Sequence, residues 1–213
     1  METERAEGIV LRCQPVTESS LIVTWYTREW GKLKTVAKGA RRAKGPFRGK
    51  IDLFYRDEIV FLRSRRSDLH LLNECFLEEA RRELRGSVEE LTAASYVCEL
   101  VDLATEVEDA NAAVFDLLED VLGVLPGGNA ETLLVWFELR LMTLLGWAPR
   151  WGKDEGLGKV MGALTAKKVD GVRRVRLTEA QVREARRVLW GMWDESVGRM
   201  PRTRKCLQDE DDR

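Results

Sequence analysis

The residues whose types and spacing could do chemistry are cations. The stretch "KLKTVAKGARRAKGPFRGK", residues 32–50, holds Lys32, Lys34, Lys38, Arg41, Arg42, Lys44, Arg48 and Lys50 and no acid. Unopposed positive charge at that density repels itself, and an anionic partner relieves it. Phosphate groups of a nucleic-acid strand are the natural match, because each neutralised phosphate releases condensed counterions. Single strands also need aromatic faces on which bases stack. Trp30 precedes the basic run and Phe47 lies inside it, with Trp25 and Tyr26 just upstream.

Catalytic chemistry has less to stand on. His70 is the single imidazole and sits in an apolar run, where a structural role fits better than acid–base work. The chain has no nucleophile elbow, no phosphate loop of the Walker type and no dinucleotide fingerprint. Cys13, Cys75, Cys98 and Cys206 are far apart and form no paired metal-ligand spacing, so no metal or cofactor is expected and the thiols read as buried or half-buried. The acid pairs Asp57-Glu58 and Asp154-Glu155 leave a metal-dependent nucleic-acid enzyme as one alternative. A non-catalytic adaptor whose basic segment meets an acidic protein is another.

The basic run stands out because the whole chain of 213 residues has a net charge of only -1. Charge is segregated along it. Residues 28–50 carry nine Lys/Arg and one acid, and residues 86–148 carry twelve acids and a single base, Arg140. Residues 149–206 carry fifteen bases and seven acids, and 207–213 add four acids and one base. There is no apolar run long enough for a membrane span and no apolar stretch at the N-terminus for a signal peptide, so a cytoplasmic protein is expected.

The elements that must position these residues fall into two kinds. Up to residue 77 the chain reads as strands: "EGIVLRC", "SLIVTWYT", "KLKTVAKG" after a turn at Gly31, "KIDLFYRDEIVFLR" with a bend near Arg56-Asp57, and "LHLLNECFL". Five short strands leave open edges unless they curl, which predicts a small barrel of the oligonucleotide-binding type. Alternation puts Lys32, Lys34 and Lys38 on one face and sets Trp25 against Tyr26, so that one of those two is expected to be exposed or at a barrel edge. Gly39, Gly45, Pro46 and Gly49 predict a flexible arm carrying Arg41, Arg42, Lys44 and Arg48.

From residue 78 the period changes. "EEARRELRG" reads as a short helix, followed by a capping box at Ser87 and Glu90, a helix capped by Asn111, and "AETLLVWFELRLMTLL" ending at Gly146. Residues 147–176 are glycine-rich and poorly periodic. "TEAQVREARRVLWGMWDESV" restores a helix, with Thr178 and Gln181 as its capping box. The expectation is an α+β protein: a five-stranded barrel over 1–77, an α-helical domain over 78–206 with an irregular, cysteine-free insertion at 147–176, and an acidic tail at 207–213.

"VAKGARR" after "TREWGKL" resembles the N-terminal signature of the bacterial DNA repair protein RecO family. The resemblance continues in order through "GIVLR", "LHLLNECFL", "YVCELVD", "VFDLLEDVL", "FELRLMTLLGWAP" and "GRMPRTRKCL", nearly the full length. It implies an oligonucleotide-binding barrel, an α-helical domain and no catalytic turnover. It implies binding of single- and double-stranded DNA and annealing of complementary strands. It further implies work with RecR to load RecA onto strands coated by single-stranded DNA-binding protein, whose acidic tail is also contacted.

Carried over by position, Lys38, Gly39, Ala40, Arg41 and Arg42 fall in the DNA-binding barrel, and Phe137 to Leu141 fall in the helical domain implicated in partner contact. Arg140, beside Phe137 and Leu141, could grip a terminal carboxylate or pair with an internal acid. Many members carry four zinc-binding cysteines after the "G-[YW]-A-P" stretch; this chain has none there, so the metal is not carried over. Lys167, Lys168, Arg173, Arg174 and Arg176, together with Arg202, Arg204 and Lys205, are expected to add a second DNA contact.

Overall fold

The first strand is longer than its apolar core suggests. β1 runs over Glu2–Pro15 because two neighbours use it in turn: β4 (Arg56–Arg63) pairs antiparallel with Glu2 to Ile9, and β2 (Leu21–Thr27) with Gly8 to Pro15. β2 continues through the turn at Gly31 into β3 (Gly31–Ala37). β5 (Leu69–Glu79) pairs antiparallel with β4 and, over Lys34 to Val36, parallel with β3. The order β1-β2-β3-β5-β4 closes a barrel and leaves no free sheet edge at the seam. The computed structural model describes residues 2–147, 149, 151 and 155–208; Asp154 and acidic-tail residues 209–213 lie outside them.

Alternation fills the barrel. Val23 and Trp25 from β2, Leu33 and Ala37 from β3, Ile59 and Phe61 from β4, and Leu72 and Cys75 from β5 form one core with Ala6 and Val10. Trp25 satisfies its indole N–H on Thr35 Oγ1 at 2.9 Å. The bend expected at Arg56-Asp57 is a register shift at that step, but the residues before it are not strand. Phe54 adopts φ 70 and is buried, and Arg81 donates to its carbonyl at 3.1 Å, so the chain turns before β4 begins.

The stretch expected as a short helix after residue 78 is instead the end of β5 and a 3-10 turn over Arg82–Arg85. Helices follow: α1 Val88–Ala104, α2 Ala112–Val124, α3 Ala130–Leu144, α4 Glu155–Thr165, α5 Val169–Val172, α6 Glu179–Val197 and α7 Arg204–Gln208. Their starts are set by caps. Ser87 accepts from Glu90 N, Asn111 from Ala113 N and Val114 N, Asn129 from Thr132 N, and Thr178 with Gln181 forms a complete capping box. The Glu90 carboxylate reaches Gly127 N, across the fold.

Contacts divide the chain into two units, Met1–Arg82 with Ala104–Phe115, and Glu83–Leu103 with Asp116–Arg213. In the second unit α3 is the central element: Leu133 to Leu139 are all buried, and it packs against α4, α5 and α6. The segment expected to be irregular contains α4, whose Leu157, Met161 and Leu164 bury one face at helical spacing.

Candidate nucleic-acid interface

Five cations share one loop. Lys38, Arg41, Arg42, Lys44 and Arg48 follow β3 and are all exposed, and among the described residues no carboxylate pairs with any of them. The loop is not a free arm. Arg42 N donates to Gly39 O, Gly45 N to Arg42 O, Arg48 N to Gly45 O and Lys50 N to Phe47 O, a run of turns stitched at 2.9 to 3.3 Å. Gly45 lies so close to Gly39 that a Cβ there would sit 2.1 Å from the Gly39 carbonyl oxygen. Arg41 ties the loop to the β1–β2 turn, donating from its N–H to Ser19 O and from Nη1 to Thr17 O, both at 3.1 Å.

Phe47 corrects the sequence reading. It is 5% exposed and packs in the barrel core. An aromatic so buried offers no face to a base; it plugs the barrel and fixes the loop instead. Trp25 and Tyr26 are both fully buried, so neither is the surface aromatic expected of that pair. Trp25 points inward. Tyr26 points outward but is covered by residues 104–115 of its own unit, with its hydroxyl donating to Asn111 O. Trp30 is half-buried, edge-on to Phe61, with the Arg63 guanidinium 4.7 Å from its ring centre.

The shared face of Lys32, Lys34 and Lys38 is divided. Lys32 is 8% exposed, and its strand is bridged in parallel by Val107, with Glu108 N donating to Lys32 O at 2.9 Å. Lys34 holds Asp68 at 3.2 Å, and the Asp68 carboxyl lies below its ordinary value chiefly through that hydrogen bond. Only Lys38 is open. Lys50, half-buried at the loop's end, stands 5.8 Å from the exposed Phe76 ring.

Beneath Lys50 the barrel contains a carboxylate. Asp57 takes the inward parity of β4 and is fully buried, and its oxygens find no N–H or O–H donor among the described residues. Burial pushes its pKa up to about 7, with Glu78 pushing the same way and Cys75 and Lys50 opposing. The Cys75 thiol reaches the Lys50 carbonyl at 3.7 Å, and burial raises the Cys75 pKa strongly. Cys13 is likewise raised, to about 12, by burial first and then by Asp52 and Asp57. Both thiols are therefore poor nucleophiles. Cys206 is exposed, unlike the buried or half-buried thiol expected.

His70 is fully buried, accepts from Ser64 N at Nδ1, faces Glu108 at 2.9 Å through Nε2 and stacks on Phe61. It joins the β4–β5 loop to the 104–115 segment. That loop, residues 64–68, carries Arg65 and Arg66, which the sequence analysis does not single out. Both are exposed with no acidic partner among the described residues.

In the helical unit, Lys167, Lys168, Arg173, Arg174 and Arg176 are all exposed along the stretch that links α4, α5 and α6. Arg176 turns back onto the Arg173 and Val175 carbonyls. Arg202 and Lys205 are exposed. Arg204 is committed inward: its guanidinium lies 4.1 Å from the Trp190 ring centre, and its charge acts on Glu138. Glu138 is buried on α3. Burial raises its pKa to about 7, against the opposing pull of Arg186, Tyr96 and Arg204.

Phe137 and Leu141 are both fully buried, so neither presents a face to a partner. Arg140 between them is half-buried, donates to Thr165 O at 3.5 Å and lowers the pKa of Asp120, which burial raises first and Asp116, Asp170 and Glu119 raise further.

No helix among the described residues is long and apolar enough to cross a membrane. Residues 1–81 match the family model described as recombination protein O N terminal, and residues 85–160 the one described as recombination protein O C terminal. The chain is 38% identical over 149 residues to a DNA repair protein RecO of Pelotomaculum thermopropionicum, covering 70% of this chain and 57% of that one. It is 36% identical over 148 residues to the protein of that name in Syntrophus aciditrophicus, covering 69% and 57%. The match to the Rhodopirellula baltica protein is 36% over 143 residues, covering 67% and 53%. The chain thus spans little more than half the length of these relatives.

Proposed function

This chain belongs to the recombination protein O family, and from that premise we propose that it is a DNA-binding mediator of DNA repair and recombination without catalytic turnover. It anneals complementary single strands and, with RecR, helps load RecA onto DNA coated by single-stranded DNA-binding protein. The barrel, residues 1–77, holds DNA, and the helical part, residues 78–206, adds a second basic surface and meets the coating protein's tail. The protein works in the cytoplasm on the nucleoid.

The observation that carries this reading is the fixed loop of five exposed cations without acidic partners among the described residues. A strand laid on it would release counterions, with a slope of about 0.7 in log affinity against log salt per phosphate. Five contacts then give a slope between about −3 and −4. Neutralising two strands lowers their mutual repulsion, and base pairing supplies drive and specificity, so no nucleotide hydrolysis is required. Arg65 and Arg66 join the barrel's exposed cations; Phe47, Phe137 and Leu141 leave the list of contact residues because they are buried.

The test is binding of a labelled single strand across a salt series, paired with annealing of complementary strands bare and coated. Arg41→Glu with Arg42→Glu should weaken binding and flatten the salt slope by about 1.4. An unchanged slope removes the loop from the interface. Strand scission with Mg²⁺ and no annealing would replace the whole reading with a nuclease.

A further inference from the structure

We propose that the β4–β5 loop, residues 64–68, is a second phosphate-binding point on the barrel, and that a single strand runs along β3 between it and the 38–48 loop. The inference rests on the DNA-binding reading above and adds its route. The loop has the features of a built site. Ser64 N donates to the buried His70, Arg66 N to Ser64 Oγ, and Leu69 N to Ser67 Oγ, while the Ser64 and Ser67 hydroxyls lie 3.3 Å apart. The His70 imidazole and the Ser64 and Ser67 hydroxyls thus hold the turn, and Arg65 and Arg66 are exposed on it without acidic partners among the described residues. Pre-organised cations lose less entropy on binding than cations on a free arm.

The β-register sets the route. β5 runs parallel to β3 with Leu69 opposite Lys34, so the loop entering β5 lies beside the first half of β3. The 38–48 loop leaves the other end of the same strand. Lys34, holding Asp68 at 3.2 Å, shows that β3's outer side chains reach the 64–68 loop. Seven residues of β3 span about 20 Å at about 3.3 Å each. A strand that touches both loops must be longer than one that touches the 38–48 loop alone. Between Arg63 and Val107 the surface opens into a cleft of about 580 Å³, lined also by Ser64, Arg65, Ser67 and Asp68. The cleft gives a backbone room to pass. Three acids line it: Asp68 is held by Lys34 and Glu108 by Arg63, so Arg65 and Arg66 together outweigh the one that remains, the exposed Glu2.

The test compares a thymidylate tetramer with a hexadecamer, the two ends of the range one oligonucleotide-binding fold covers. The full chain is used, with Arg65→Ala/Arg66→Ala and, separately, Arg65→Lys/Arg66→Lys. The alanine variant should bind the hexadecamer about tenfold more weakly at moderate salt, with a slope shallower by about 1.4. It should bind the tetramer as the parent does, and the lysine variant should keep the parent's slope. Unchanged hexadecamer binding overturns the proposal, as does an equal loss on the tetramer, which would make the loop an independent site. A loss seen only with a labelled oligoglutamate peptide would assign the loop to a protein partner and overturn it too. If Arg41→Glu/Arg42→Glu still impairs DNA binding in those cases, only the route fails. If that variant binds normally, the barrel reading fails first.

Discussion

Replacing Asp57 by asparagine isolates one buried carboxyl. Its side chain is fully buried, no N–H or O–H among the described residues donates to it, and its pKa is pushed up to about 7 against an ordinary 3.8. Between those values the folded chain keeps a proton that the unfolded chain has released. Stability therefore falls as pH rises through that window and levels off above about 7. The gap, at about 1.4 kcal/mol per tenfold, amounts to about 4 kcal/mol lost between pH 4 and pH 8. Asparagine cannot ionise, so its variant lacks this loss. It brings a fixed cost of about 1–3 kcal/mol for burying an unpaired amide, but that cost does not vary with pH. Urea unfolding of both proteins at pH 4, 6, 7 and 8 gives the difference directly. Relative to pH 4, the variant should gain about 4 kcal/mol at pH 8. Glu138, with its own raised pKa, is present in both proteins and cancels. A stability difference that stays flat across the series refutes the reasoning, because it would mean Asp57 titrates alike in the folded and unfolded chain.

Gly45→Ala places a methyl 2.1 Å from the Gly39 carbonyl, so the loop must open; DNA binding measured by anisotropy should weaken while barrel circular dichroism persists. Phe47→Ala should cost about 3–5 kcal/mol by denaturant unfolding, the loss of a core aromatic rather than of a stacking face. Glu99 accepts from Arg202 N, Thr203 N and Thr203 Oγ1, so Glu99→Ala should release residues 202–208, read as faster hydrogen exchange there with exchange in the barrel unchanged.

The barrel was legible because its signals are local. Strand alternation and the turn at Gly31 each need only a few neighbouring residues. The helix starts were legible for the same reason: Ser87, Asn111 and Thr178 cap N–H groups two or three residues away. The failures have longer-range causes. β1 extends back to Glu2 because β4 pairs with it, and nothing in "METERAE" announces that partner. The run before Arg56 looks like strand, but a buried Phe54 at positive φ, held by Arg81 from beyond β5, turns it. α4 was hidden by Gly158 and Gly162. At Gly158 a Cβ would lie 3.3 Å from Trp151, a tight approach that cannot be read from spacing.

The candidate site divides along the same line. Charge density in residues 38–48 is a property of sequence, and every cation there is exposed. Accessibility is not, and the wrong candidates are those that needed it. Phe47 and Lys32 sit in the right segment with the right chemistry, yet one plugs the barrel and the other is covered by residues 107–108. Phe137 and Leu141 flank a cation on an amphipathic-looking helix, but α3 is central to its unit and buried nearly all round. Arg65 and Arg66 show the reverse error. Two arginines in a serine turn carry too little charge to stand out in a segment count. They gain weight only because the parallel β3–β5 pairing, closed over three residue pairs, brings their loop beside Lys34. A contact that depends on one register is visible only once the register is known, and that register is what sets the second loop beside the strand from which the first one leaves.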